Sequence, residues 1–261
     1  MTANIHPSAI IEDGAVIGPD CVIGPFCIVG PEVKLGRGVV LKSHVVVNGD
    51  TTIDDETTVF SFAVIGEIPQ DLKFGGEKTS LVIGKRNRIR EHVTVNTGTA
   101  GGGSVTKIGD DCLLMAGCHV AHDAHLGDRV IIVNSTAVAG HVIIEDDVIV
   151  GGLCGIHQFV RIGRGAIIGA LTMVTNDVIP YALVQGARGK LDGLNLVGLK
   201  RRGVDRADIT AMRAAFQTLK DGEGAFLDRA RRLNEETDSD YVREMVDFIL
   251  GDSDRSFLTP S

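Results

Sequence analysis

Aliphatic side chains recur at every sixth position along most of the chain. One run extends in steps of six from Ile5 to Ile65, and a longer one extends from Ile108 to Val174. A period of six fits neither a helix nor a strand that alternates indefinitely. It is typical of a short strand followed by a corner, and three such units close a coil that stacks on the next at about 4.8 Å. We therefore predict a mainly β fold, a parallel β-helix of hexapeptide repeats with a small C-terminal α-helical domain.

Two segments interrupt the hexads, and the C-terminal part of the chain abandons them. The interruptions span 66–82 and 98–107, and the second is rich in Gly. Insertions in a solenoid project from one face, which is often functional, although surface decoration is the simpler interpretation. Apolar residues beyond the hexads follow helical spacing. We predict a β-helix over residues 1–185 that carries both inserted loops, and a connection with a helical domain over residues 186–261.

The composition mainly excludes classes of protein. With 44% hydrophobic and 23% charged residues, the chain of 261 residues is typical of folded rather than disordered proteins. Its formal net charge of −8 argues against a general nucleic-acid binder, which needs a cationic face. The N-terminus has no basic leader, and no apolar run reaches the roughly 18 residues of a membrane span. We expect a cytoplasmic protein with no membrane span and no nucleic-acid partner.

All five cysteines occupy the same place in the repeat, four residues after an aliphatic position. That place otherwise holds small or β-branched side chains, so we predict that the cysteines are small buried hydrophobes. A disulfide or zinc site is the alternative, but there is no CxxC pair and the odd number fits neither well. The five are Cys21, Cys27, Cys112, Cys118 and Cys154.

The candidate chemistry lies in a cluster of histidines in the second run of hexads. Residues 18 apart share one vertical line of the coil, so His122, Gly140 and Gln158 form a column. This column combines an imidazole, an approachable backbone N–H and an amide within about 10 Å. An imidazole titrates near neutrality, which suits a general base. The column is therefore a candidate catalytic site.

Other interpretations of the histidines are open at this point. His119, His122 and His141 are candidate metal ligands, as in the hexapeptide carbonic anhydrases that hold zinc with three histidines between subunits. Alternatively, the histidines are surface residues without a role. A non-catalytic structural solenoid is a hypothesis of another class, and it leaves the insertions and the basic pair Arg201–Arg202 unexplained.

Eight short motifs, spread over nearly the whole chain, carry a resemblance to a known family. They are IGPFCIVGP (23–31), LKSHVVVNG (41–49), PQDLK (69–73), IGKRNRIRE (83–91), HVAHD (119–123), AGH (139–141), IHQF (156–159) and GLKRRG (198–203). Together they resemble the UDP-N-acetylglucosamine O-acyltransferases, which catalyse the first step of lipid A biosynthesis.

The resemblance implies a homotrimer of left-handed parallel β-helices with active sites in the clefts between neighbours. It implies transfer of an (R)-3-hydroxyacyl group from acyl carrier protein to the glucosamine 3-position of UDP-N-acetylglucosamine. His122 matches the general base, Asp123 the carboxylate that orients it, and Gly140 the backbone N–H that binds the oxyanion. No metal or dissociable cofactor is implied, because the phosphopantetheine arrives on the carrier protein.

The resemblance also implies positions that bind the substrates. They are Asp71, Lys73, Asn96, His119, His141, Gln158, Asn195, Arg201 and Arg202, with Ala170 and Ile167 for acyl-chain selectivity. The two arginines match contacts to the uridine diphosphate, and guanidinium groups suit bidentate phosphate binding. Because the family often has Gly at position 170, the added methyl is expected to shorten the preferred acyl chain modestly.

One departure from the family pattern concerns the acceptor. The family usually reads HRGT where this chain has NTGT at residues 96–99. An imidazole and a guanidinium are therefore absent from the acceptor-binding region. An alternative hypothesis follows, in which the acceptor is the 3-amino analogue of the sugar and the product is an amide instead of an ester.

Overall fold

The computed structural model describes residues 2–260, and the chain winds into a triangular coil. Its strands are parallel along the coil and mostly two residues long, as a hexad of strand plus corner dictates. The predicted left-handed parallel β-helix with a C-terminal helical part is confirmed. Met1 and Ser261, the outer ends of the predicted ranges 1–185 and 186–261, lie outside the described residues.

Within the described residues the strands form three faces, of eleven, nine and eight strands. Face 1 consists of β1 (Asn4–Ile5), β4 (Val22–Ile23), β7 (Val40–Leu41), β10 (Thr58–Val59), β13 (Arg88–Ile89), β16 (Leu113–Leu114), β19 (Ile131–Ile132), β22 (Ile149–Val150), β25 (Ile167–Ile168), β27 (Ala182–Gln185) and β28 (Lys190–Leu194). Face 2 consists of β2 (Ile10–Ile11), β5 (Ile28–Val29), β8 (Val46–Val47), β11 (Val64–Glu67), β14 (Thr94–Asn96), β17 (His119–Val120), β20 (Ala137–Val138), β23 (Gly155–Ile156) and β26 (Met173–Val174). Face 3 consists of β3 (Val16–Ile17), β6 (Lys34–Leu35), β9 (Asp50–Ile53), β12 (Ser80–Ile83), β15 (Val105–Ile108), β18 (His125–Leu126), β21 (Ile143–Ile144) and β24 (Arg161–Ile162).

Up to β26 the vertical register follows the 18-residue repeat and shifts only where the insertions add residues. The last step of face 1, from β25 to β27, is 16 residues. Across the first insertion Val64 pairs with Thr94, so twelve residues beyond the repeat loop out, and residues 68–79 lie between β11 and β12. Across the second insertion Val95 pairs with Val120, so seven residues loop out before β15. The coil therefore continues in register on both sides of each loop.

The core of the prism is a stack of inward aliphatic side chains. Ile53, Val95 and Val150 are typical, because none of them retains solvent exposure. Each fully buried side chain of this kind contributes roughly 1.5–3 kcal/mol to folding. The narrow interior accepts aliphatic and small side chains, which accounts for an aromatic content of only 4%.

The five cysteines are buried at corners, where each thiol lies within hydrogen-bond distance of a backbone carbonyl oxygen. Burial raises the pKa of the Cys112 thiol to about 12, so the reactive thiolate is scarce at mildly alkaline pH.

We expect a thiol-specific disulfide reagent to label the five cysteines of the native protein far more slowly than those of the protein unfolded in guanidinium chloride. Equally fast labelling of the two states would contradict this prediction.

The corners between face 2 and face 3 hold non-glycine residues in the left-handed region. Asp123, His141 and Phe159 stack in one line there, with φ angles of 58°, 60° and 63°. This conformation costs roughly 1–2 kcal/mol per residue, and the regular stacking of the coils imposes it. The side chains of this line are therefore held at fixed positions beside the predicted catalytic column.

The coil ends in a hairpin and a group of helices. Strand β27 turns back antiparallel to β28, and α1 (Leu196–Arg201), α2 (Arg206–Asp221), α3 (Phe226–Glu236) and α4 (Asp240–Leu250) follow. The sequence gives no signal for β28 or α1, because the chain there has neither hexads nor helical spacing. No helix in the described part of the chain is long and apolar enough to cross a membrane.

Candidate active site

The histidine cluster lines a groove of about 380 Å³ that runs along face 2 to its corner with face 3. The floor includes outward residues of successive face 2 strands, among them the small Ala137 and Gly155. The structure brings the predicted column of His122, Gly140 and Gln158 together as the wall at the corner. A floor of small residues beside a polar wall is suited to an extended apolar ligand with a polar reacting group.

His122 is buried, and Asp123 orients its ring. The Nδ1 atom lies 2.8 Å from Asp123 Oδ2. A carboxylate only accepts hydrogen bonds, so Nδ1 carries the proton and donates it. The unprotonated Nε2 is on the side of Gly140, where a Cβ atom would lie only 2.8 Å from it. The imidazole therefore has the tautomer that a general base at the groove requires.

The second insertion fixes Asp123. Thr99 donates to the carboxylate twice, from its N–H to Oδ1 at 2.9 Å and from its hydroxyl to Oδ2 at 2.6 Å. The N–H of Asp123 donates to Thr106 Oγ1 at 2.8 Å. Gly102 packs against the same carboxylate so closely that a Cβ would lie 2.1 Å from Asp123 Cγ. The Gly-rich loop within 98–107 therefore clamps the carboxylate, and it needs glycine for this close approach.

The backbone N–H of Gly140 is available to a ligand. At the equivalent position of the corners between face 3 and face 1, an aspartate of the next coil accepts the corresponding N–H. The N–H of Asp110 donates to Asp128 Oδ1 at 2.8 Å, and the N–H of Asp128 donates to Asp146 Oδ1 at 2.9 Å. The residue one coil beyond Gly140 is Gln158 instead. Within residues 2–260 the Gly140 N–H has no hydrogen-bond acceptor. The corner thus offers a donor directly beside the imidazole of the column.

His119 and His141 flank this centre as neutral imidazoles. The His141 ring lies 5.1 Å from the ring of His122 and stacks on Phe159 at 4.4 Å. His119 lines the groove, and its Nδ1 is 2.8 Å from Thr94 Oγ1. Burial lowers the pKa of both His119 and His141. Both rings therefore serve at neutral pH as hydrogen-bonding groups without charge.

Within one chain the structure does not bring together the three histidines of the metal alternative. The ligand atoms that lie within 4.8 Å of one another belong to His122, Asp123 and His141, whereas His119 bonds to a threonine on the groove. The Asp123 Oδ2 atom already accepts from His122 and from Thr99. The contacts of His122, Asp123 and His141 are therefore those expected where a carboxylate orients an imidazole, and not those of a metal site.

The first insertion reaches the groove with its amide and acidic side chains. Gln70 lines the groove, and the Asp71 carboxylate is close enough to act electrostatically on His141. Lys73 is exposed on the same loop, and its backbone N–H donates to Asp71 Oδ1 at 3.0 Å. This loop therefore brings polar and charged groups to one end of the groove.

Asn96 lies under the first insertion rather than on the groove surface. Its Nδ2 donates to the carbonyl oxygens of Glu67 at 3.3 Å and Ile68 at 3.0 Å. Its Oδ1 is buried and has no hydrogen-bond partner in the part of the chain that the structure describes. The side chain thus fastens the start of the loop, and its predicted contact with the acceptor stays a prediction.

The residues predicted to bind the nucleotide lie at another corner of the prism. The Arg202 guanidinium is 5.8 Å from the centre of the Tyr181 ring and packs beside Gly165, at the corner between face 3 and face 1. Arg201 is exposed on α1. Asn195 caps α1, since its Oδ1 accepts a backbone N–H of that helix at 2.9 Å and its Nδ2 donates to Gly165 O at 3.0 Å. Within one chain, face 3 separates these residues from the groove.

The two residues predicted to select the acyl chain also lie outside the groove of one chain. Ile167 begins β25 of face 1, and Ala170 lies at the following corner, where its backbone packs against Gly151. Neither residue is part of the groove lining. A role in selectivity requires a groove that extends to this corner or to a second copy.

Two residues at the groove have no signal in the hexad pattern. Gln70 lines it, and Thr99 holds the carboxylate behind it. The glycines around Thr99 are the one usable clue, because a Gly-rich loop permits the backbone to approach another group closely. The first insertion, which places Gln70, does not follow the six-residue repeat, so the repeat does not predict its path.

Comparison with known proteins places the chain among acyltransferases. Residues 14–49 and 106–140 match the model of the bacterial transferase hexapeptide, and residues 177–258 match the model described as UDP N-acetylglucosamine O-acyltransferase, domain 2. A protein of Paracoccus denitrificans named acyl-[acyl-carrier-protein]–UDP-N-acetylglucosamine O-acyltransferase is 67% identical over 202 residues, 77% of each chain. A protein of Agrobacterium fabrum with the same name is 46% identical over 262 residues, which cover 100% of this chain and 97% of the relative.

Solved structures agree over the full length. UDP-N-acetylglucosamine acyltransferase from Campylobacter jejuni superimposes with a TM-score of 0.93 at 41% identity, over 99% of this chain and 100% of that one. LpxA from Acinetobacter baumannii superimposes with a TM-score of 0.94 at 40% identity, over 97% of this chain and 99% of that one. Likeness of this extent in coil, loops and helical end shows that the chain belongs to the UDP-N-acetylglucosamine O-acyltransferase family.

Proposed function

We propose that the protein transfers an (R)-3-hydroxyacyl group from acyl carrier protein to the glucosamine 3-hydroxyl of UDP-N-acetylglucosamine, the first step of lipid A biosynthesis. The observation that carries the proposal is the buried His122–Asp123 pair beside the backbone N–H of Gly140. Transfer from a thioester to a hydroxyl needs a base for the alcohol and a donor for the oxyanion, and the groove offers both.

The reaction begins when His122 Nε2 takes the proton of the 3-hydroxyl while the oxygen attacks the thioester carbonyl carbon. Asp123, 2.8 Å from Nδ1, stabilises the imidazolium that forms. The negative charge that develops on the carbonyl oxygen is stabilised by the Gly140 N–H. When the tetrahedral intermediate collapses, the C–S bond breaks and His122 returns the proton to the leaving sulfur. The products are the acylated sugar nucleotide and the free thiol of the carrier protein.

The chain supplies the base and the oxyanion donor, and we infer that it needs no metal or dissociable cofactor of its own. The thioester is formed on phosphopantetheine, which acyl carrier protein delivers. The groove along face 2 receives the acyl donor, and the polar residues of the first insertion face the acceptor sugar.

We further propose a homotrimer in which two chains share each active site. His122 and Arg202 lie at different corners of one prism, and a neighbouring copy that presents its face 3–face 1 corner to the groove adds Arg201 and Arg202 there. Co-expression of the His122→Ala chain with a chain in which both arginines are alanine tests this arrangement. Recovery of activity in the mixed oligomer supports a shared site, whereas no recovery in verified mixed trimers contradicts it.

The product decides the proposed reaction. UDP-N-acetylglucosamine and its 3-amino analogue are offered side by side with acyl carrier proteins that bear 3-hydroxyacyl chains of several lengths, and the products are identified by mass spectrometry. The relatives are named O-acyltransferases, which supports an ester product. A strong preference for the amino sugar would overturn the O-acyl proposal in favour of the amide alternative, and no acylated sugar at all would overturn both.

Replacement of Arg202 by alanine is expected to raise the KM for UDP-N-acetylglucosamine about tenfold or more, with little change in kcat. The loss of a charge-assisted hydrogen bond to phosphate costs about 1.5–3 kcal/mol, and uniform binding of this kind acts on KM. Arg213→Ala on the exposed side of α2 is the matched control. An unchanged KM in Arg202→Ala would contradict the phosphate contact.

A further inference from the structure

A C-terminal strap (residues 253–260) fastens to the coil beside the groove. Asp177, which has no solvent exposure, holds it in two ways. Its backbone N–H donates to Ser256 O at 2.9 Å, and its carboxylate accepts from the Ser253 hydroxyl at 2.6 Å. Arg255 lies between these two anchored residues, so its backbone position is fixed.

The Arg255 side chain reaches two residues that line the groove. Its Nε donates to Gln158 O at 3.1 Å, and its Nη2 lies 2.7 Å from His157 Nδ1. His157 Nδ1 also lies 3.3 Å from Gln158 O, a longer contact than the one with Arg255. Because a guanidinium only donates, Nδ1 accepts from Arg255 and the ring proton is on Nε2. Arg255 thus selects the Nε2–H tautomer of the His157 ring.

His157 and Gln158 continue the groove wall one coil beyond Gly140. The strand register places the two coils in direct vertical contact, about 4.8 Å apart. On this side the groove lining includes Gly155 and Met173, which are apolar and leave room for an extended chain. When the carbonyl oxygen of a thioester contacts the Gly140 N–H, the atoms next to that carbonyl therefore lie near the Nε2–H group of His157.

We propose that Arg255 is a positioning residue for the acyl donor, because it holds His157 as the Nε2–H tautomer and so presents this N–H to an oxygen acceptor of the acyl thioester in the groove. The inference rests on the function proposed above. Without the guanidinium the ring is free to rotate and to exchange tautomers. The acyl donor then loses a fixed hydrogen-bond donor, whereas the acceptor sugar does not.

Arg255→Gln removes the charge and Arg255→Lys keeps it, and both are compared with Arg213→Gln, an exposed arginine of α2. We expect Arg255→Gln to raise the KM for acyl carrier protein thioester by up to about tenfold, since the acyl donor loses a neutral hydrogen bond from a fixed donor. The KM for UDP-N-acetylglucosamine stays unchanged, Arg255→Lys recovers part of the loss, and Arg213→Gln matches wild type. In a His157→Ala background, Arg255→Gln adds no further loss.

Nitrogen NMR of His157 gives a readout that does not depend on turnover. The wild-type ring is expected to show the Nε2–H tautomer alone, and Arg255→Gln is expected to show a mixture. An unchanged ring spectrum, or an unchanged KM for the acyl donor, overturns the proposal. Equal loss toward both substrates with a lowered Tm also overturns it, because the arginine then only fastens the strap. Wild-type protein that forms no acylated sugar refutes the proposed function instead, and the NMR comparison still decides the assignment of Arg255.

Discussion

Replacing His122 by alanine is expected to lower kcat by roughly 10²–10⁴-fold, the usual contribution of a general base. The ring is the one whose Nδ1 is held by Asp123 and whose Nε2 is on the side of Gly140. His119 does not substitute for it, because its Nδ1 contacts a threonine hydroxyl and not a carboxylate that would stabilise an imidazolium. The measurement is steady-state turnover with both substrates near saturation, so that the loss registers in kcat.

His125→Ala is the matched control for this substitution. His125 lies three residues further along the same coil, on face 3, and its Nε2 is 3.2 Å from Val105 O. It lies outside the groove, so its loss is expected to leave turnover close to that of wild type. Thermal melting of both variants verifies the fold. Near wild-type turnover in His122→Ala, or an equal loss in His125→Ala, would contradict the assignment of the base.

The coil follows from the sequence because a repeat of six fixes both the burial and the stacking of each residue. Once the hexads are counted, residues 18 apart must share a vertical line, so His122, Gly140 and Gln158 could be grouped without coordinates. The structure brings these three together on one wall. Residues 18 apart lie in register in successive coils, so the repeat alone defines the positions of these three residues.

The rest of the site depends on aperiodic segments, which carry no repeated neighbour to fix their position. Thr99 reaches Asp123 only because a Gly-rich loop folds back across 24 residues. Arg255 reaches His157 across 98 residues, through a strap held by a buried carboxylate. A few specific hydrogen bonds decide such contacts, and residue spacing does not encode them. For the same reason the sequence did not reveal that Arg202 lies at a different corner from His122.

The regular coil also explains why the centre is rigid. The proposed base and the proposed oxyanion donor lie on consecutive coils that are hydrogen-bonded to each other, as in the contact from the His141 N–H to the His122 carbonyl oxygen at 3.1 Å. Asp123 is also held by the second insertion, where the Thr99 N–H donates to its carboxylate. Preorganised groups of this kind need no rearrangement when charge develops in the transition state.

Gly140→Ala is expected to lower kcat by about 10²-fold while the protein stays folded. A methyl group at this position would lie 2.5 Å from His122 Cε1 and 2.8 Å from Nε2, closer than side chains pack. The ring must therefore move away from the groove, although its bond to Asp123 ties it in place. A misplacement of about 1 Å in a reacting group costs a factor of this order.

Two comparisons decide whether the loss at Gly140 arises through the imidazole. Gly193→Ala in β28 is the control for the substitution itself, because a Cβ there meets nothing within 4 Å, and it is expected to retain wild-type turnover. The double variant His122→Ala/Gly140→Ala is expected to be no slower than His122→Ala alone, since the methyl then occupies the space that the ring has left. If the two losses multiply instead, the methyl displaces the oxyanion donor independently of the base. Wild-type turnover in Gly140→Ala would contradict the close packing of base and backbone on which the mechanism depends.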